Sequence, residues 1–179
     1  QRKLQSTGGM DWDNAQRLLI NRSVQAAVFE SDVRHLLTEG LPYDRCQVGV
    51  VTRMPKAQGL EDLYPGPDEK MPSYVRTQID VVLDQGTAVL NAADAEVADL
   101  ARHCDGSVVF YAHEESAPRL AAHAAEGGRV GFWRDGQLIL KEGEREHAVL
   151  SAKRPAVARL LQDGRLSSDD MLVAACVAW

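Results

Sequence analysis

The chain has 179 residues, 45% of them hydrophobic and 26% charged, and its 20 basic and 26 acidic side chains leave a net charge of −6. That length predicts one domain, or one with a short extension, and a near-average composition excludes collagenous, low-complexity and wholly disordered classes. The acidic balance argues against nucleic-acid or anionic-membrane partners, and no apolar run approaches the ~18 residues that a membrane-spanning helix requires.

In chain order, Asp11 or Asp13 caps a helix reaching about Asn21, with Trp12, Ala15, Leu18 and Leu19 at apolar-face spacing. Residues 24–29 form a short apolar run and read as a strand buried on both faces. Residues 32–39 read as a short helix stopped by Gly40 and Pro42, and residues 46–52 (CQVGVVT) as a second buried strand. Residues 53–72 carry Pro55, Gly59, Pro65, Gly66, Pro67 and Pro72, a loop of the length expected of functional or mobile segments.

A helix running into a strand follows over 73–83, then a turn at Gln85-Gly86 and a strand over 87–90. Residues 95–103 read as a helix, 107–112 as a strand, and 118–126 as a helix ended by Gly127-Gly128. Asp135-Gly136, between 129–134 and 137–141, is the strongest hairpin signal in the chain. Residues 156–161 suggest a short helix or turn, and a last helix begins near Ser168 or Asp169. Strands alternating with helices predict an α/β fold, a mainly parallel sheet flanked by helices with an antiparallel hairpin near the C-terminal end.

The ends suggest a piece of a longer protein. The sequence opens at Gln1 without a signal-peptide pattern, and the apolar stretch from Met171 to Trp179 breaks off without a cap. A helix apolar nearly all round is expected to be buried among neighbours. The three cysteines (Cys46, Cys104, Cys176) make neither a disulfide framework nor a zinc pattern, so a reducing cytoplasm is expected.

Acidic and polar groups gather just after the predicted strands: Glu30, Ser31 and Asp32; Thr52 and Arg53; Asn91 and Asp94. Ligands of open α/β sheets bind outside the carboxyl ends of strands, so these groups are expected to share a crevice, where a carboxylate such as Glu30 can ligate Mg²⁺. The same residues also suit plainer roles, the acids as helix caps and Asn91 as a turn residue. No glycine-rich phosphate loop and no G-x-S-x-G elbow is present, and the five histidines have no zinc-site spacing.

Residues 26–52 resemble the cyanophycin synthetases of the Mur ligase superfamily, whose matching stretch runs AAVLETARGGILREGLGFDRCDVGVVTNI. Residues 86–94 resemble that family's GTAVLNADD, and residues 104–111 its CDGEVIFF, in the same order. Met171 to Trp179 resembles the helix at which the family's nucleotide-binding domain gives way to its last domain. The resemblance implies most of a central Mur-ligase-like domain, beginning downstream of its phosphate loop. It implies a ligase that uses ATP and Mg²⁺ to activate a carboxylate as an acyl-phosphate, joining aspartate or arginine to a poly-aspartate polymer. The partners would then be ATP and the amino-acid or polymer substrate, with room for a homo-oligomer.

By the same resemblance Glu30 matches a Mg²⁺-binding acid, and Asn91 and Asp94 match an N-x-x-D element beside the adenine and ribose of ATP. The chain also departs from the pattern. Arg34-His35 stands where the family has two glycines, Arg53 stands where it has the asparagine of T-N-I, and Arg76 offers no carbamate-forming lysine. A fragment inactive by itself is expected, and the alternative is a domain that has lost its chemistry and serves as a binding or assembly module.

Overall fold

The structure is a computed structural model that describes residues 12–179, and these divide into two compact units. One holds the described residues up to Asp44 together with Pro55–Val75; the other holds Arg45–Met54 and Arg76–Trp179.

In the first unit, α1 (Trp12–Leu19) and α2 (Val33–Thr38) are joined by irregular chain. The Gln16 amide donates to the Pro42 carbonyl at 2.7 Å, and the Glu39 carboxylate accepts from the Trp12 backbone at 3.2 Å. The apolar face expected of α1 is mostly not buried, for Ala15 is buried while Trp12 and Leu19 are exposed. Asp13 lies inside this helix, and the other proposed cap, Asp11, lies outside the described residues.

Residues 24–29 are not the strand their apolar run suggests: the backbone is irregular and Val28 is 93% exposed. A strand needs a ladder partner as well as β-forming residues, and none of the described strands pairs with this segment. The proline-rich stretch is irregular chain and turns as far as Pro67, as expected of a loop, and contacts within it tie it together. Ala57 N donates to Asp68 Oδ1, Tyr64 Oη donates to the Pro67 carbonyl at 2.7 Å, and Leu60, Tyr64 and Met71 are buried. It ends in the short α3 (Met71–Val75).

The second unit is a six-stranded sheet in chain order: β1 (Cys46–Val51), β2 (Val82–Asn91), β3 (Ser107–Glu114), β4 (Arg129–Arg134), β5 (Gln137–Glu142) and β6 (Arg145–Ser151). β1 to β4 run parallel, and β4, β5 and β6 are antiparallel. The expected α/β class and hairpin are therefore both present. Its turn places Asp135 (φ 51°) and Gly136 (φ 74°) in the left-handed region, which a two-residue hairpin of this twist requires. The expected turn at Gln85-Gly86 lies within β2, where the register slips between Cys46↔Val82 and Val48↔Thr87.

Alternate residues of the strands face two helical layers. α4 (Thr77–Asp80), α5 (Ala95–Ala98) and α6 (Pro118–Ala125) cover one face. α8 (Ser168–Ala178) lies across β2 to β5 on the other, where Val89, Val109, Tyr111, Leu138 and Leu140 pack with Val157 of α7 (Pro155–Gln162) and with Met171, Leu172 and Cys176. A Cβ at Gly131 would collide with Cys176 Sγ, so the glycine lets α8 come close. Contrary to expectation α8 is not buried all round: Ala174, Val177 and Ala178 are exposed.

Candidate functional site

The carboxyl ends of β1, β2 and β3 bring Thr52, Asn91, Asp94 and Tyr111 together, as open parallel sheets do with their binding residues. Asn91 closes β2. Its Nδ2 donates to the Thr52 carbonyl at 2.9 Å, and its Oδ1 accepts from Ala93 N at 2.9 Å, an Asx turn. Asp94 caps α5: Oδ1 accepts from Glu96 N at 3.1 Å and from Val97 N at 3.2 Å. Its other oxygen accepts from Met54 N at 2.9 Å.

The turn and cap roles are thus both present, and they do more than end a strand and start a helix. Together Asn91 and Asp94 grip the chain leaving β1 on either side of Arg53, one by the Thr52 carbonyl and the other by the Met54 amide. No local pattern announces this, because the partners are about forty residues apart in sequence. Oδ1 of Asp94 is filled by its two amide donors, so one lone pair on Oδ2 and one N–H of Asn91 remain for a ligand.

Tyr111, not singled out by sequence, lies beside Asn91 in the ladder, and its carbonyl accepts from Ala92 N at 2.7 Å. Burial, reinforced by Asp169, Asp170 and Asp94, holds its phenol well above the usual tyrosine range, so it stays a neutral donor. Burial likewise pushes the Cys176 thiol up to about 12, which removes it as a nucleophile. At the opposite edge, Arg129 Nη2 donates to Thr87 Oγ1 at 3.0 Å and to Ser107 Oγ at 2.6 Å beneath the Trp179 ring. That cluster ties the starts of three strands to the residue that follows α8, at the end of the strands opposite Asn91.

Glu30 belongs to the first unit, where it is exposed on irregular backbone. A magnesium ion commonly takes one or two protein carboxylates and completes its shell with water and phosphate oxygens. Among the described residues no three His, Cys, Asp or Glu side chains gather to hold a metal ion. Glu30 is thus not part of such a group among the described residues.

Arg34 has a definite structural use. Its guanidinium donates to the Gly59 carbonyl at 2.8 Å and to Asp62 Oδ2 at 2.7 Å, so the residue standing where the family has glycine stitches the proline-rich segment. His35 belongs to the cap of α2, with its backbone N–H donating to Asp32 Oδ1 at 2.9 Å and its ring nitrogen 3.0 Å from the same oxygen. The His35 amide, first among the causes, holds the Asp32 carboxyl below its ordinary value of 3.8. A depressed folded value means the cap stabilises α2 above that ordinary value and is lost as pH falls through the folded one. Hydrogen exchange at the His35 amide should accordingly lose protection, after correction for intrinsic rates, when pH drops from 5 towards 2.5. Unchanged protection would show that the cap does not hold α2.

No family model matches the chain. Proteins named cyanophycin synthetase do: that of Geminocystis herdmanii is 30% identical over 128 residues, 71% of this chain. Those of Crocosphaera subtropica and Synechocystis sp. are 30% identical over 132 and 127 residues, 73% and 70% of this chain. The chain spans 14–15% of the length of these relatives. The similarity agrees with the motifs that resemble cyanophycin synthetases, and it is a similarity to one segment of much longer proteins.

Proposed function

We propose that this chain is part of an ATP-dependent ligase of the cyanophycin synthetase type, contributing the nucleotide-facing portion of a Mur-ligase-like central domain. The observation that carries the reading is the collinear similarity over about 70% of the chain. The N-x-x-D element falls at the carboxyl edge of the parallel sheet, where nucleotides bind such folds. The whole protein would phosphorylate a carboxylate with ATP, and an amine, from an aspartate or arginine substrate, would displace the phosphate.

In this reading Asn91 and Asp94 shape the nucleotide side of the crevice, and Tyr111 supports it as a neutral, buried phenol. Glu30 would hold Mg²⁺, which when bound neutralises charge on the transferring phosphoryl group. Such a protein would work in the reducing cytoplasm, and no helix among the described residues is long and apolar enough to cross a membrane.

One observation favours a second reading, a domain that has lost its chemistry and acts as a binding or assembly module. Arg34, in place of a glycine, is bonded to Gly59 and Asp62 and fills a position the family leaves open. The two readings separate in a phosphate-release assay on the full-length protein with ATP, Mg²⁺, aspartate, arginine and a short cyanophycin primer. Release that needs primer and arginine, and drops at least ~100-fold in Glu30→Ala, is expected of the ligase; such a loss corresponds to about 2.7 kcal/mol of transition-state stabilisation. Release indifferent to Glu30→Ala would leave this segment a scaffold.

A further inference from the structure

Arg53 occupies an unusual place at the carboxyl end of β1. The carbonyl of the residue before it and the amide of the residue after it are each held by a side chain of the β2–α5 turn, at 2.9 Å in both cases. The peptides on both sides of Arg53 are therefore fixed to the sheet edge, whereas an arginine on a free loop would share the motion of its backbone. Arg53 itself is exposed, and its guanidinium has no hydrogen-bond or ion-pair partner among the described residues.

Asp94, which holds the Met54 amide next to it, forms no ion pair with it. One oxygen of that carboxylate accepts from Met54 N and the other from two amides of α5, so the charge is already stabilised by three backbone donors. What results is a fork of five N–H donors, unpaired among the described residues, on a fixed base at the carboxyl edge of the parallel strands, in a chain of net charge −6. A planar fork of this kind recognises phosphate or carboxylate oxygens in pairs.

We propose that Arg53 is a binding residue for the phosphate chain of the nucleotide, and that Asn91 and Asp94 act as its positioning residues. This rests on the nucleotide-site reading above and assigns it a specific contact. An asparagine, which the family carries here, has neither the charge nor the reach to make that contact.

The test uses the full-length protein and follows arginine-dependent and aspartate-dependent phosphate release separately, each as a function of ATP. Arg53→Asn should raise KM for ATP about tenfold in the arginine-dependent reaction, with kcat nearly unchanged, a loss worth about 1.4 kcal/mol. Arg53→Lys should recover part of the loss because charge returns without the fork. Aspartate-dependent release should not change, and the melting temperature should stay within a degree of the parent because Arg53 has no partner to lose. An unchanged KM in an active enzyme overturns the proposal and leaves the ligase reading standing. Absence of arginine-dependent release in the parent protein overturns the nucleotide-site reading and this assignment with it.

Discussion

Asp94→Ala is expected to destabilise the protein by about 2 kcal/mol, from two separable losses. Removing the cap of α5 leaves Glu96 N and Val97 N without their acceptor, a change that costs about 1 kcal/mol at helix N-termini. The partly buried Met54 amide also loses its acceptor, and an unsatisfied buried donor costs about 1–3 kcal/mol. In a chain of this length the sum lowers the melting temperature by roughly 4–8 °C.

Asp94→Asn divides the two effects. Its remaining oxygen can still cap α5, but its amide nitrogen faces Met54 N donor to donor, so about half of the loss should persist. Thermal melts of parent and both variants, with hydrogen exchange at Met54, Glu96 and Val97, check the partition. A melting temperature for Asp94→Ala within a degree of the parent would show that the clamp contributes nothing to the fold. It would also remove the fixed base on which the role of Arg53 depends.

Leu172→Ala should cost more, about 3 kcal/mol. Leu172 is fully buried in α8 within the cluster that joins the helix to β2, β3 and β5. Truncating a buried leucine removes its transfer free energy and leaves a cavity, with costs of roughly 2–5 kcal/mol. Close packing between Gly131 and Cys176 limits how far α8 can settle into the space, which keeps the cost from falling to the low end. Val177→Ala, on the outward side of the same helix, is the control and should stay within about 0.5 kcal/mol. Urea unfolding of the three proteins measures both differences, and equal midpoints for Leu172→Ala and Val177→Ala would refute this account of how α8 is held.

Much of the second unit is legible residue by residue. Asp135-Gly136 fixes a hairpin because the turn's backbone angles restrict the residues that fit it. Ser167 and Asp170 form a capping box at the start of α8, so the predicted start near Ser168 follows from local hydrogen bonding. In the first unit Asp32 caps α2 and Gly40, at φ 74°, follows it, within a residue of the expected bounds. Each of these signals involves partners only a few positions apart.

Expectations fail where a segment's state depends on distant neighbours. Residues 24–29 have a strand's composition and no ladder partner among the described strands, so their backbone stays irregular. β6 (REHAVLS) shows the reverse, a mostly exposed stretch that no apolar pattern marks, made a strand by pairing with β5. The sequence marks Asn91 and Asp94 as candidate residues but does not show what they hold, because Thr52 and Met54 reach them only once β1 and β2 lie side by side.

By itself, then, the sequence determined the α/β class, the hairpin, the caps of α2 and α5 and the likeness to one segment of the cyanophycin synthetases, since each is written in short spacings or collinear blocks. Tertiary structure alone decided which apolar stretches are covered, that Arg34 stitches the proline-rich segment, and that Asn91 and Asp94 clamp the chain around Arg53. These depend on hydrogen bonds and packing between residues roughly 25 to 40 positions apart, whose geometry exists only after the strands and loops have come together.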